Sequence, residues 1–304
     1  AKAVCFIADK ENAIKLNDVL SECSTLKAKI VIGDMLPDWH HYEDLVESAS
    51  VTFDKVKTKF DEDALCYFTS GTTGYPKMTI HNHGYGYAHR ITGKYWLNLK
   101  SNDLHWNISD TGWAKAAYSS YFGPWNQGAT LFVHHSPVFD PKKTLDLLSS
   151  NPVTTMCGAP TIYRMLVLQD LESYKFPHLR HCVGAGEPLN PEVIETWKKA
   201  TEITIRDGYG QTETVLVCGN YPGLEPRFGS MGKPMPGIEM ATIDSKGKVV
   251  DVNQEGDIAI RVKPDRAPGL FVNYRGDNER FNSCFVGDWY ITGDRGMVDE
   301  DGYY

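Results

Sequence analysis

Thr69-Ser70-Gly71-Thr72-Thr73-Gly74-Tyr75-Pro76-Lys77 follows directly on the apolar run 64–68. The run reads as a buried strand, and it feeds a loop of hydroxyls and glycines that ends in a lysine. Glycines let a backbone approach a ligand closely and adopt positive φ. Successive N–H groups, joined by serine and threonine hydroxyls, make a concave anion binder. Lys77 adds a point charge for outer phosphate oxygens. The Walker A loop needs G-x-x-x-x-G-K-[ST], and here only two residues separate the glycines, so that motif is excluded. The bland alternative is a Gly/Thr turn that binds nothing.

Working outward, residues 64–206 alternate strands and helices. Strands are expected at 104–108, 129–134, 154–157, 181–184 and 202–206. Asp140-Pro141 and Asn190-Pro191 each place a capping residue before a proline at the first helical position. Amphipathic helices are expected over 141–150 and 191–200. Strands separated by helices of this length indicate parallel β-α-β units. Two more candidate loops follow expected strands: Gly184-Ala185-Gly186-Glu187-Pro188-Leu189, and Asp207-Gly208-Tyr209-Gly210-Gln211-Thr212-Glu213. Ligands of parallel α/β sheets bind at the carboxyl ends of strands, and all three loops are expected there. Leu189 stands where a dinucleotide fingerprint would need its third glycine, so that reading fails.

After about residue 225 the helix signals stop. Short strands are expected at 238–243, 248–252, 257–262 and 289–291, with hairpin turns at Asp244-Ser245-Lys246-Gly247 and Asp299-Glu300-Asp301-Gly302. The fold class is therefore α/β: layered β-α-β sheets in a body over 1–225, then a small antiparallel, barrel-like subdomain over 226–304. Ile291-Thr292-Gly293-Asp294 ends one of these strands. Its carboxylate can accept hydrogen bonds from a diol, or it can belong to a plain turn.

Of the 304 residues 41% are hydrophobic and 23% charged, which suits a globular chain with ample core. A net charge of −8 offers no basic field for nucleic acid or a membrane surface. No apolar run reaches the ~18 residues of a membrane span. Seven cysteines without a C-x-x-C read as reduced thiols, and Cys5, Cys66, Cys157 and Cys182, lying in apolar runs, are expected to be buried. His81, His83 and His89 lack a third ligand of convincing spacing for a metal site.

Together these segments resemble the adenylate-forming superfamily of acyl-CoA synthetases, luciferases and peptide-synthetase adenylation domains. Its phosphate-loop motif is matched by residues 67–77, its adenine and magnesium motif by 208–213, and its ribose motif by 292–294. Ile108-Ser109-Asp110-Thr111-Gly112-Trp113, residues 173–179 and residues 256–264 look most like the medium-chain acyl-CoA synthetases. The resemblance implies joining of a carboxylic acid to ATP, with release of pyrophosphate, then acyl transfer to CoA. It implies that residues 69–77 hold the phosphates. Tyr209 would stack on adenine, with Gly186, Glu187 and Pro188 opposite and Asp207, Gly208, Gly210 and Gln211 completing the AMP site. Thr212 would bond the α-phosphate near the reacting acid, Glu213 would bind Mg²⁺, and Asp294 would hold the ribose. Trp113 would line the acyl pocket, or else be a core tryptophan.

The family continues past its ribose motif into a hinge and a small lid domain carrying a catalytic lysine. This chain stops ten residues after Asp294, and the front of the fold also reads as cut. Catalytic lysine and lid are thus expected to be absent, with weak ATP binding at most and little turnover. A non-catalytic nucleotide- or acyl-binding remnant, or an adenylation domain with another acceptor, are the alternatives. By resemblance the compartment is the mitochondrial matrix if the source is eukaryotic, and otherwise the cytoplasm.

Overall fold

The structure is a computed structural model that describes residues 2–70 and 76–304. It divides into two units, Ala1–Thr58 and Lys59–Tyr304. In the first, parallel strands Cys5–Asp9, Ala28–Ile32 and His40–His41 form one sheet. Helix Lys10–Asn17 follows the first strand because the Asp9 carboxylate caps it, accepting the Asn12 N–H at 2.9 Å. Ala13, Val31 and Trp39 make its small core. Cys5 is exposed, contrary to expectation.

The second unit is built on a seven-stranded sheet. Its order is Lys233–Pro234, Leu216–Gly219, Ile205–Gly210, His181–Ala185, Thr155–Gly158, Leu104–Ile108 and Thr130–Leu131. The last five strands are mutually parallel; the first two run antiparallel to their neighbours. Register sets Ile108 beside Gly158, Gly158 beside Gly184, and Gly184 beside Asp207. Four chain segments therefore leave the sheet abreast. Helices Pro141–Ser150 and Pro191–Thr201 carry the expected caps, Asp140 accepting from Lys143 N–H and Asn190 from Glu192 N–H. Their apolar faces, Leu145 and Leu148 on one and Val193, Ile194 and Trp197 on the other, are buried in a core with Met156, Tyr163 and Cys182. The fold class read from the sequence is the one found.

Several local expectations fail for identifiable reasons. Strand 202–206 begins only at Ile205, because Glu202 caps the preceding helix in the left-handed conformation, φ +63°. It then runs on through Gly208-Tyr209-Gly210, residues read as loop. The expected strand 129–134 shrinks to Thr130–Leu131 at the sheet edge. Residues 248–252 make one bridge, Ile243 to Val249, and no strand. A helix, Asn278–Ser283, stands where helix signals were thought to have ended, capped by Asp277.

The largest correction concerns the hydroxyl-rich loop. Asp63–Thr69 pairs antiparallel with Lys77–Asn82, Thr69 opposite Lys77, in a separate three-stranded sheet completed by Asn273–Tyr274. The loop thus joins a hairpin rather than ending a parallel strand. Leu65, Tyr67 and Thr69 turn inward while Ala64, Cys66 and Phe68 are exposed, so the run is not a buried strand. An unbroken apolar run does not distinguish a two-sided core strand from an edge strand. A four-stranded antiparallel sheet, ordered Met240–Ile243, Gly256–Arg261, Trp289–Gly296 and Phe285–Val286, completes the unit.

Two helical runs that the sequence did not announce, 84–96 and 114–127, pack on one another. They touch where a Cβ on Gly93 would meet the Gly123 carbonyl oxygen at 2.6 Å, so glycine is required there. Among the described residues no helix is long and apolar enough to cross a membrane.

Four histidines are buried in this unit: His81, His89, His105 and His181. His105 lies between the Thr155 hydroxyl at 2.7 Å and the Ser119 hydroxyl at 3.0 Å. Burial lowers its pKa to about 3, and that of His181 to about 4. Such a histidine stays neutral when folded but takes up a proton when unfolded below about pH 6.5. Its stabilising effect is complete above that pH and is lost as pH falls toward the folded value. Below about pH 6 the stability advantage of the wild-type chain over His105→Gln should shrink by about 1.4 kcal/mol per pH unit. Urea midpoints at pH 7, 6, 5 and 4.5 check this; a constant difference contradicts it.

Candidate functional site

The four segments that leave the parallel sheet side by side enclose a cleft of about 510 Å³. Ile108, Ser109, Asp110 and Trp113 line it from the strand Leu104–Ile108. Ala159 comes from beyond Thr155–Gly158, and Ala185, Gly186 and Glu187 from the end of His181–Ala185. Gly210, Gln211 and Thr212 come from the end of Ile205–Gly210. This is the crevice at the carboxyl ends of parallel strands that open α/β sheets offer to ligands.

Two side-chain networks stand at the sequence-predicted positions. In the first, Glu213, buried to 7% exposure, accepts the Tyr274 hydroxyl at 2.6 Å and lies 3.4 Å from the Lys77 ammonium. That ammonium also sits 5.1 Å from the Tyr274 ring centre, within cation–π range. Burial first, and then the bond to Glu213, raise the Tyr274 pKa well above its ordinary value, so the phenol keeps its proton. In the second, Asp294 accepts the Tyr209 hydroxyl at 2.5 Å and the Gln211 amide at 2.8 Å. The same Gln211 amide donates to Thr292 O, while its oxygen accepts the Tyr290 hydroxyl at 3.2 Å. Lys77 from the antiparallel hairpin, Tyr209 to Glu213 from the parallel sheet and Asp294 from the four-stranded sheet thus meet at one turn of chain.

Trp113 is 70% exposed at the cleft, so it is not a core tryptophan. Glu187 is held by Arg164 at 2.8 Å and by the Thr161 hydroxyl at 3.1 Å. Asp207 accepts from Gly208 N–H at 2.9 Å and Leu189 N–H at 3.4 Å, tying the second loop to the third; burial raises its pKa to about 6. Gly208 meets the Trp96 ring so closely that a Cβ would stand 2.7 Å from it, which gives this glycine a packing reason. Lys77, Pro188, Asp207, Gly208, Tyr209, Glu213 and Asp294 are not among the residues lining the cleft, whereas Trp113, Gly186, Glu187, Gly210, Gln211 and Thr212 are. Thr69, Ser70 and Pro76 flank the hairpin connection, and Gly71, Thr72, Thr73, Gly74 and Tyr75 lie outside the described residues.

The sequence reading missed Lys115, Tyr274, Tyr290 and His81. Lys115 lines the cleft two residues after Trp113, and its ammonium donates to Ala185 O. Burial lowers its pKa. His81 is buried, and its Nε2 lies 2.7 Å from Thr212 O; burial brings its pKa to about 4, so the neutral ring donates there. Tyr274 and Tyr290 carry no local signal, because only strand pairing brings them in. Among the described residues no cluster of three or more His, Cys, Asp or Glu side chains forms a metal cage.

This cleft can be set against known proteins. Residues 1–270 match the family model of the AMP-binding enzymes. The chain belongs to that family. It is 47% identical over 306 aligned positions to the human mitochondrial acyl-coenzyme A synthetase ACSM3, and 44% to the mouse mitochondrial ACSM4. All of this chain is covered in each case, with 52% and 53% of those proteins. The chain spans about half the length of the curated relatives it matches. Among solved structures, the anthranilate CoA ligase AuaEII, in complex with anthranoyl-AMP, superposes with a TM-score of 0.91 at 28% identity. That match covers 100% of this chain and 58% of that one. The acyl-CoA synthetase of Brucella canis gives 0.86 at 31%, covering 99% and 55%.

The Glu213 network makes a measurable claim on this AMP-binding fold. Hydrogen bonds to charged groups contribute about 1.5–3 kcal/mol. A double-mutant cycle with Tyr274→Phe and Glu213→Gln, read by urea unfolding, should give a coupling of that order. A coupling below about 0.5 kcal/mol would mean that the buried carboxylate is held by something else.

Proposed function

We propose that the protein containing this chain is an ATP-dependent carboxylic acid:CoA ligase of the medium-chain acyl-CoA synthetase type. It would form an acyl-adenylate and pyrophosphate, then acyl-CoA and AMP. The observation that carries this reading is the convergence of Lys77 on Glu213 and of Asp294 on Tyr209 and Gln211, around a segment whose Gly210, Gln211 and Thr212 line the cleft. The family match and the names of the relatives support it.

The chemistry brings two anions together, the acid's carboxylate and a triphosphate. Positive charge and N–H dipoles must offset their repulsion and stabilise the pyrophosphate that leaves. Lys77 is the cation for the outer phosphates, with the hydroxyl loop 69–76 as cradle. Tyr209 offers a ring face to adenine, with Gly186 and Glu187 across the cleft. Asp294 holds the ribose hydroxyls, for which it would exchange its present bonds with Tyr209 and Gln211. Thr212 stands at the α-phosphate, positioned by the His81 bond to its carbonyl.

Glu213 is the residue that would hold Mg²⁺. Its bonds to Tyr274 and Lys77 both fall on one carboxylate oxygen. A single carboxylate suits an ion that draws its other ligands from phosphate and water rather than from a protein cage. When bound, that ion would neutralise phosphate charge. The proposed partners are a small carboxylic acid, ATP and CoA, and the proposed compartment is the mitochondrial matrix, as the relatives' names suggest. In this division of labour the body, 1–225, supplies the acid and phosphate sites, and 226–304 supplies the ribose site.

The test is acid-dependent ATP–pyrophosphate exchange by the full-length gene product, run beside this chain. Lys77→Ala and Glu213→Gln should each lower exchange by about 10²–10³, the range for one oriented charge. Exchange with none of a broad panel of acids would remove the ligase reading, and unchanged exchange in both variants would remove the site assignment.

A further inference from the structure

Lys115 has no role in the adenylation scheme, yet it is the one amine among the residues lining the cleft. Helix Ala114–Ala117 carries it inward directly after Trp113. Its ammonium donates to Ala185 O, at the end of a central parallel strand. An ammonium has three donors, and this backbone carbonyl is the acceptor found for it. The nearest carboxylates are already engaged, Glu187 by Arg164 and Thr161, and Asp207 by the N–H groups of Gly208 and Leu189. Neither forms an ion pair with Lys115 among the described residues. Ile108, Ala159, Ile162, Val215 and Leu216 are the apolar part of the cleft lining, beside polar Ser109, Thr161 and Thr212.

Burying a cation beside apolar walls is costly unless it is hydrogen-bonded. Among the described residues donors are left over, and Lys115 borders a cavity rather than packed protein. Gly186, at φ +106°, leaves that side open: a Cβ there would stand 3.4 Å from the ammonium. Lys115 also lies outside the hydrogen-bond networks that join Lys77, Glu213, Gln211 and Asp294, where the reacting carboxylate must meet the phosphate. Trp113, placed at the acyl pocket by the family resemblance, lines the same cleft two residues before Lys115, so the ammonium is set to meet a part of the acid away from its reacting carboxylate.

We propose that Lys115 is a specificity-determining residue whose ammonium recognises a second oxygen acceptor on the acid, a hydroxyl, a keto oxygen or a carboxylate. This rests on the ligase reading above. A site built to hydrogen-bond a substrate group discriminates strongly against the analogue that lacks it, because its own polar group is then left unpaired.

The experiment measures kcat/KM for exchange by the full-length gene product with matched acids: hexanoate against 5-oxohexanoate and hexanedioate, and benzoate against 2-hydroxybenzoate. The wild type should favour one or more acceptor-bearing acids over its plain partner by about tenfold or more. Lys115→Met should abolish or invert that preference while raising kcat/KM for the plain acid. Lys115→Gln, which keeps a donor, should retain part of the preference and serves as the readout if the methionine variant does not fold. An identical acid ratio in wild type and variant overturns the proposal. So does an equal loss for every acid, which would place Lys115 on the reacting carboxylate. Exchange with no acid at all overturns the ligase reading as well, whereas exchange at unchanged ratios overturns this inference alone.

Discussion

A buried carboxylate organises this molecule. Glu213 is almost wholly removed from water, and a carboxylate so placed must be bonded or neutralised. Its partners come from elsewhere in the chain: Lys77 from one arm of the hairpin, and Tyr274 from a short strand almost two hundred residues further on. Tyr274 is in place because its strand pairs with Lys77–Asn82, setting Tyr274 opposite Thr79. One charge thus fixes the turn after the parallel strand against the antiparallel sheet. The Phe271 N–H bond to Glu213 O adds a backbone tie at the same point. Without these contacts the lysine and the acid would have no reason to share a site.

The second network extends this arrangement to the four-stranded sheet. Gln211 uses its amide donor toward Asp294 and Thr292, and its oxygen toward Tyr290. Tyr209 and Gln211 share one oxygen of Asp294. Partly buried networks of this kind are stiff because each member is held by more than one bond. Gln211, which lines the cleft, is consequently held by Thr292 and Tyr290 before any ligand arrives. That suits a reaction whose electrostatic stabilisation depends on preorganised groups.

Sequence reasoning succeeded where chemistry is local. A carboxamide or carboxylate before a proline announces a helix start, and Asp140 and Asn190 do cap their helices. The loops after His181–Ala185 and Ile205–Gly210 do flank one cleft. It failed where an outcome depends on pairing. The run 64–68 contains nothing to say whether both of its faces are covered, and it proved to be half-exposed in an antiparallel hairpin. Glu202 looked like the start of a strand but was consumed by the helix before it. Tyr274, Tyr290 and Lys115 belong to no legible motif. Each reaches the site through a strand register or a helix turn that the primary sequence does not display.

By itself, the sequence determined which residue types stand close together along the chain: a hydroxyl-rich run ending in Lys77, the stretch Gly208–Glu213, and Asp294, which proved to lie inside the strand Trp289–Gly296 rather than at a strand end. It determined them because short spacing along the chain is a property of the sequence alone. Only the tertiary structure decided that Lys77 answers to Glu213 and Tyr274, that Asp294 is shared by Tyr209 and Gln211, and that a lysine faces the cleft beside Trp113. Those decisions belong to the ladders between strands. Hydrogen bonds between distant segments set the register, and register, unlike composition, is not written at any one position of the chain.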